Sequence, residues 1–291
     1  MAGRSAHRIA GPLAEDHYPL GMDPDVLLVG CGRLGADIGL RLAARGHTVV
    51  GIRRRAELVP APLRGLAADL TREVPALPRL NLGHLVVALT ARPRTEEAYR
   101  TTYVDGLARA LDALARDGQV PGRAVLVSST AVFGSQPDGR MIDEDTPADP
   151  SDGPGRMLWA AEQLFTERVP QGTVLRLSGL YDRDSSRLAA QVLAGDVAEP
   201  NRWTNRIHRS DAAAAVVHLL TRVQAPGPLY VGTDDGPALL GDVAAHVARG
   251  LDAAAPPATD LARATGRRLS NARLRATGWA PEYPTYREGY A

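Results

Sequence analysis

Short, unbroken apolar runs recur along this chain, and the segments between them carry apolar residues at helical spacing. The runs lie at residues 26–29, 48–52, 85–89, 124–128 and 173–177, with a later one at 228–231. Runs this short fit strands buried on both faces, as in a parallel sheet. Residues 33–45 place Leu34, Ile38, Leu42 and Ala43 on one face and stop at Gly46, a helix terminator. Residues 95–116 direct Ala98, Leu107, Leu111 and Leu114 inward, residues 157–169 predict a third helix, and the alanines and valines of 211–220 a fourth. Strands alternating with helices predict an α/β fold, a doubly wound, mostly parallel sheet, with its ligand outside the carboxyl ends of the strands.

The alternation weakens after Leu180. Residues 25–179 therefore read as one domain, and 180–291 as mixed segments that complete the sheet and form a small substrate lobe. Residues 1–24 lack the apolar centre of a secretory signal and read as a disordered leader, with Met22 an alternative start to Met1.

Composition narrows the function. With 44% hydrophobic and 23% charged residues the chain is an ordinary globular protein, and a net charge of +1 gives no reason to expect nucleic acid or anionic membrane as partner. No apolar run approaches the roughly 20 residues needed to span a bilayer. The single cysteine, Cys31, permits no intramolecular disulfide and suits a reducing, cytoplasmic setting. The seven histidines show no metal-binding spacing, so no metal is expected.

The strongest motif is Gly30-Cys31-Gly32-Arg33-Leu34-Gly35, a G-x-G-x-x-G between the first strand and first helix. Its glycines serve a tight turn, close approach of backbone to a pyrophosphate, and close packing of helix on strand. At the end of the second strand an NAD-specific site usually places an acid for the ribose hydroxyls. Here Arg53, Arg54 and Arg55 stand, with no acid until Glu57. Guanidinium groups pair with a 2′-phosphate, so Arg53 and Arg54 favour NADP(H) over NAD(H). The alternative is a solvated basic turn.

Further segments in order extend the motif: Ala68-Asp69-Leu70, Tyr103-Val104-Asp105-Gly106, Ser128-Ser129-Thr130-Ala131-Val132-Phe133-Gly134, Arg176-Leu177-Ser178-Gly179-Leu180-Tyr181, Asn205-Arg206-Ile207-His208 and Ser270-Asn271-Ala272-Arg273-Leu274. Together they resemble the extended short-chain dehydrogenase/reductases, closest to their atypical, NAD(P)-dependent epimerase/dehydratase-like members. The resemblance implies that Asp69 and Leu70 line the adenine pocket and that Ala88, Leu89 and Thr90 line the cofactor. It makes Ser129 the catalytic hydroxyl and Thr130 its substrate-binding neighbour. It also turns Asn205, Arg206 and His208 towards substrate, with His208 bonding substrate or shuttling a proton. A turn-forming acid at Asp69, a strand-ending serine at Ser129, a helix cap at Asp211 and a packed His208 are the structural alternatives.

The family's catalytic tyrosine and lysine, four residues apart, fall on Pro154 and Leu158 when counted from Ala161-Glu162. Neither can serve, unless the alignment is shifted. Arg156 is the nearest cation and Tyr181 the nearest phenol, though a poor base with a pKa near 10. Asp143, Glu144 and Asp145 form an acidic loop that offers an acid or base, or is simply solvated. Cys31 reads as packed, and Asn271 and Arg273 as structural ties of the C-terminal lobe. The expectation is an NADP(H)-binding oxidoreductase or epimerase-like enzyme acting on a polar small molecule, with Ser129, Tyr181 and His208 as catalytic candidates and a homodimer as the assembly the resemblance implies. The alternatives are a redox-silent NADP(H) sensor or scaffold, and a non-redox lyase or isomerase.

Overall fold

The computed structural model describes residues 25–135, 138–182 and 187–290; the leader 1–24 and its alternative start lie outside them. Seven strands form one parallel sheet: β1 (Asp25–Val29), β2 (Val49–Arg53), β3 (Arg64–Ala67), β4 (Leu82–Val87), β5 (Arg123–Ser129), β7 (Thr173–Leu177) and β11 (Leu229–Gly232). The spatial order is β11-β7-β5-β4-β1-β2-β3. Chain order thus reverses between β1 and β4, which makes that junction the switch point where doubly wound sheets bind ligands. In register, Val26 faces Val49 on one side and His84 on the other.

The apolar runs became strands because both faces are covered. Leu27, Val29, Leu85, Val87, Ala124 and Leu126 join one core cluster with Leu107, Leu111 and Leu114 of α3 (Gly106–Arg116) and with Ala161 and Phe165 of α4 (Gly153–Arg168). The helix α1 (Arg33–Ala43) buries Gly35, Ile38, Gly39 and Leu42.

Two predicted helices differ in detail. Residues 95–116 divide into α2 (Glu96–Tyr99), a π-helical stretch Arg100–Asp105 and then α3. The β-branched Thr101, Thr102 and Val104 weaken regular helix at that place. The helix α4 starts four residues earlier than the apolar spacing suggests. Asp152 accepts a hydrogen bond from Gly155 N at 2.6 Å, and Pro154 sits in the first turn, where its missing N–H costs nothing.

By contact the described residues fall into two compact units that do not follow chain order. The first holds the residues up to Ser128 with Asp152–Leu175 and Val216–Leu229; the second holds Ser129–Ser151, Arg176–Ala215 and the residues from Tyr230 onward. This differs from the single boundary at 179/180. The second unit gathers three small pairs: β6 (Met141–Ile142) with β13 (Arg268–Leu269), β8 (Gly179–Tyr181) with β10 (Arg206–His208), and β9 (Trp203–Thr204) with β12 (Ala238–Leu239). The pairing of β6 with β13 explains why the loop after β5 belongs with the C-terminal segments. Five helices complete the elements used below: α5 (Arg187–Leu193), α6 (Arg209–Thr221), α7 (Leu240–Gly250), α8 (Ala272–Ala276) and α9 (Tyr286–Gly289).

Candidate functional site

In the first unit the turn from β1 to α1 has the geometry of a phosphate cradle. Gly30 has φ +96°, and a Cβ there would lie 2.6 Å from Ala88 O. A Cβ on Gly35 would strike Gly30 O, so helix and strand touch through bare backbone. Gly32 differs: a Cβ there would meet nothing within 4 Å. It is the N-cap of α1, has no side-chain cap, and no acid stands in the first turn, where Arg33 is exposed and Leu34 half-buried. Open space over uncapped helix N–H groups fits a pyrophosphate. Cys31 is buried with its side chain against Gly51, and burial pushes its thiol pKa up while Arg53 opposes that shift.

At the carboxyl end of β2, Arg53 Nη1 donates to Leu58 O at 3.0 Å, which folds the side chain over the turn Ala56–Leu58; Arg54 is exposed. Asp69, half-buried, accepts from Thr71 Oγ1 at 2.7 Å and from Thr71 N at 3.1 Å, and pairs with Arg72 at 3.6 Å. The Thr71 hydroxyl, helped by Arg54 and Arg72, holds its carboxyl below the ordinary value. Asp69 therefore forms its own turn, while Leu70 packs into the core cluster. Ala88 N donates to Val29 O at 2.8 Å, Leu89 packs on the core, and Thr90 is exposed at the end of this strand.

The start of α4 is tied down by ion pairs. Arg156 Nη2 donates to Glu96 Oε2 at 3.0 Å, and Arg94 lies 3.7 Å from Asp152. Leu158 is buried at 5% exposure, one turn before Glu162, which accepts from Ser128 Oγ at 2.5 Å.

In the second unit Ser129 ends β5 and caps the short turn Thr130–Phe133 by accepting from Ala131 N at 3.2 Å. The strand-ending role is real, and it uses the oxygen as acceptor. The hydroxyl proton has no acceptor among the described residues. Thr130 is buried, and its carbonyl accepts from Arg267 Nη2 at 2.7 Å; Arg267 also donates to Gly134 O. The turn that carries Ser129 is thus held by a guanidinium whose pKa is lowered by burial.

Asn205, expected to face substrate, has both amide ends engaged by main chain. Its Nδ2 donates to Arg267 O at 2.9 Å and its Oδ1 accepts from Leu269 N at 2.7 Å. Arg206 is buried, donates to Thr204 Oγ1, and lies over the Tyr286 ring. Tyr181 is buried and stacks on Tyr290 with centroids 4.5 Å apart. Burial, with Asp234 and Tyr290 adding, pushes its phenol above the ordinary value, which keeps it protonated and makes it a weaker acid. His208, half-buried, lies against Tyr283 with centroids 4.0 Å apart, and its Nδ1 accepts from Ser210 N at 3.3 Å. Burial lowers its pKa, so the neutral ring carries its proton on Nε2.

Asp211 does not cap α6, which begins two residues earlier. Its carboxylate accepts from Glu282 N at 2.8 Å and Tyr283 N at 3.0 Å. The acidic loop is also structural. Glu144 is buried and accepts from Val231 N at 2.7 Å, Asp145 pairs with Arg273 at 2.6 Å, and Asp143 accepts from Asp145 N at 3.1 Å. Asn271 donates to Thr233 O at 2.9 Å and to Asp235 at 2.7 Å.

Arg267 and Asp234 carry weight that the sequence did not announce. Asp234 lies in an Asp-Asp-Gly turn, a local signal for a turn only, and Arg267 is one of 34 basic residues with nothing to single it out. Among the described residues no group of three His, Cys, Asp or Glu could hold a metal, and no helix is long and apolar enough to cross a membrane.

A seven-stranded doubly wound sheet with a glycine cradle at its switch point defines a dinucleotide-binding fold. No family model matches the chain. Protein YeeZ of Escherichia coli K12 is 30% identical over 223 residues, covering 70% of this chain and 76% of its own length. A solved structure from Methylobacillus flagellatus, provisionally assigned as an NAD-dependent epimerase/dehydratase, is 34% identical with a TM-score of 0.77, over 92% of this chain and 96% of that one. The fold is shared with Thermus thermophilus UDP-glucose 4-epimerase solved with NAD, at 20% identity and a TM-score of 0.71, over 91% of this chain and 96% of that one. This chain belongs to the NAD-dependent epimerase/dehydratase family.

Proposed function

We propose that the protein is an NADP(H)-binding, epimerase/dehydratase-like oxidoreductase of a polar small molecule that works without the family's tyrosine–lysine pair. The observation that carries the cofactor reading is the bare turn over Gly32, backed by the uncapped start of α1. Gly30, Gly32 and Gly35 hold the pyrophosphate, and Arg53 and Arg54 meet a 2′-phosphate with no acid at the strand end to repel it. A bound nicotinamide supplies a hydride acceptor or donor. Ser129, whose hydroxyl proton has no acceptor among the described residues, donates a hydrogen bond to the substrate oxygen. Water or His208 carries the proton, since burial leaves the Tyr181 phenol too weak an acid to do so. A single cysteine supports a cytoplasmic setting.

Calorimetric titration with NADPH and NADH, on the wild type and on Arg53→Ala/Arg54→Ala, tests the cofactor. Tighter NADPH binding that the double variant loses supports the reading, and binding of neither nucleotide overturns it. Stereospecific transfer of label from NADPH to product then tests turnover.

A second reading, a redox-silent NADP(H) sensor or scaffold, is favoured by one feature. The chain contains no lysine at all, so all 34 of its basic residues are arginines and no shift of alignment supplies the missing amine. Partner affinity that changes with NADPH, without turnover of carbonyl substrates, selects this reading.

A further inference from the structure

Beneath α9 the second unit buries three polar side chains that leave one atom each without a partner. Arg206 is 6% exposed, Asp234 1% and Tyr181 7%; the unpartnered atoms are Arg206 Nη1, Asp234 Oδ2 and Tyr181 Oη. They surround one region of the fold. Asp234 N donates to Arg206 O at 2.7 Å, and the register of β8 with β10 sets Tyr181 opposite His208, two residues from Arg206. The roof is α9: the Arg206 guanidinium lies over Tyr286, Tyr181 stacks on Tyr290, and a Cβ on Gly289 would strike Tyr181 Oη.

A second atom of each charged group is satisfied. Arg206 Nη2 donates to Thr204, and Asp234 Oδ1 accepts from Gly236 N at 3.2 Å. Arg206 and Asp234 attract one another but make no ion pair within 4.0 Å. A buried guanidinium and a buried carboxyl that share a space without touching are costly unless something bridges them. An extra cation there would be repelled by Arg206 and an extra anion by Asp234, so the bridging group is neutral. It must accept from a guanidinium and donate to a carboxyl while bonding a phenol, and it must fit under a helix whose glycine already abuts that phenol. Water meets all of these demands, and about three hydrogen bonds is the usual complement of a buried water.

We propose that Arg206, Asp234 and Tyr181 form an internal binding site for one ordered water, which joins β8, β10 and the turn after β11 and seats α9 on them. The four-residue α9 is too short to hold itself as an isolated helix, so its seat must come from such contacts.

A crystal structure of the full chain, at a resolution that shows ordered water, tests the site. The expected result is one density peak about 2.7–3.2 Å from all three atoms. A direct contact of Arg206 with Asp234, or no peak, overturns the proposal. In solution, oxygen-17 relaxation dispersion should show one long-lived water fewer in Arg206→Met/Asp234→Leu than in the wild type. An unchanged count overturns it too, and if that variant does not fold the wild-type crystal structure decides.

Discussion

Gly32→Ala should separate cofactor binding from folding. Gly32 has φ −82° and ψ −159°, an extended backbone open to alanine, and its added Cβ meets no atom within 4 Å. Alanine is a poorer N-cap than glycine, by about 0.5–1 kcal/mol. It also restricts the unfolded chain, which returns about 0.4–1 kcal/mol. The two effects nearly cancel, so stability should stay within about 1 kcal/mol of wild type, a shift of roughly 2–4 °C or less for a chain of this size. The methyl group, however, stands in the space a pyrophosphate must enter to reach the N–H groups of α1. Losing one or two charge-assisted hydrogen bonds, at about 1.5–3 kcal/mol each, predicts NADPH binding weaker by about 10-fold or more. Gly30→Ala and Gly35→Ala are the controls. Their Cβ atoms run into main chain at Ala88 and Gly30, which cannot swing away, and Gly30 also has positive φ; both variants should lose stability with or without ligand. Thermal melts and calorimetry on the three variants decide. If Gly32→Ala binds NADPH as tightly as wild type, the pyrophosphate does not lie over this turn and the cofactor assignment fails.

Three further outcomes follow from buried groups. Burial, despite the opposing charge of Arg206, raises the Asp234 pKa to about 7 from 3.8, so its stabilising contribution is complete below the unfolded value and is lost as pH rises through 7. In urea unfolding, Asp234→Asn should therefore gain on wild type by about 3 kcal/mol between pH 5 and pH 8, and a flat difference would refute this. His84 behaves oppositely: burial, then the nearby His47 and Arg123, lower its pKa to about 4 from 6.5, so stability is present above 6.5 and lost as pH falls towards 4. The loss should reach about 2 kcal/mol by pH 5 and vanish in His84→Gln, as read from the difference between the two unfolding curves. Cys31, buried with a raised pKa, should resist iodoacetamide at pH 8 in the folded protein and react once urea unfolds it; rapid labelling of native protein would place the thiol elsewhere.

What could be read from the sequence was whatever burial writes locally. The apolar runs of β1, β2, β4, β5, β7 and β11 are continuous because helices or neighbouring elements cover both faces of those strands. The edge strand β3 left no such trace, since Arg64, Gly65 and Ala67 are exposed and only Leu66 turns partly inward. The early start of α4 was written in capping chemistry, Asp152 and Pro154, and not in apolar spacing, which begins later. The glycine cradle was legible because backbone that must approach backbone excludes every side chain. Asn205, by contrast, is turned towards substrate only by the family resemblance. Its partners are main-chain groups at residues 267 and 269, more than sixty positions away, and no local pattern records them. Glu144 and Asp211 share this property: each is a polar residue whose work is to satisfy a distant segment.

The chemistry of α4 carries the argument furthest. In the resembled enzymes the start of this helix supplies a phenol and an amine. Here it supplies Pro154, which favours the first turn, and Leu158, which is buried, while Arg156 is held by Glu96. An arginine cannot stand in for the amine as a proton-transfer group, because its guanidinium stays charged at any pH the fold survives. Proton movement must then come from a group that can titrate or relay near neutrality. Among the residues gathered in the second unit, His208 has a pKa lowered by burial and is neutral near pH 7, and Ser129 has an uncommitted hydroxyl proton. If turnover is found, its pH profile should follow an imidazole, falling away on acidification as His208 gains a proton, and not a phenol. A profile that rises only above pH 9 would instead return the role to a tyrosine and remove His208 from the mechanism.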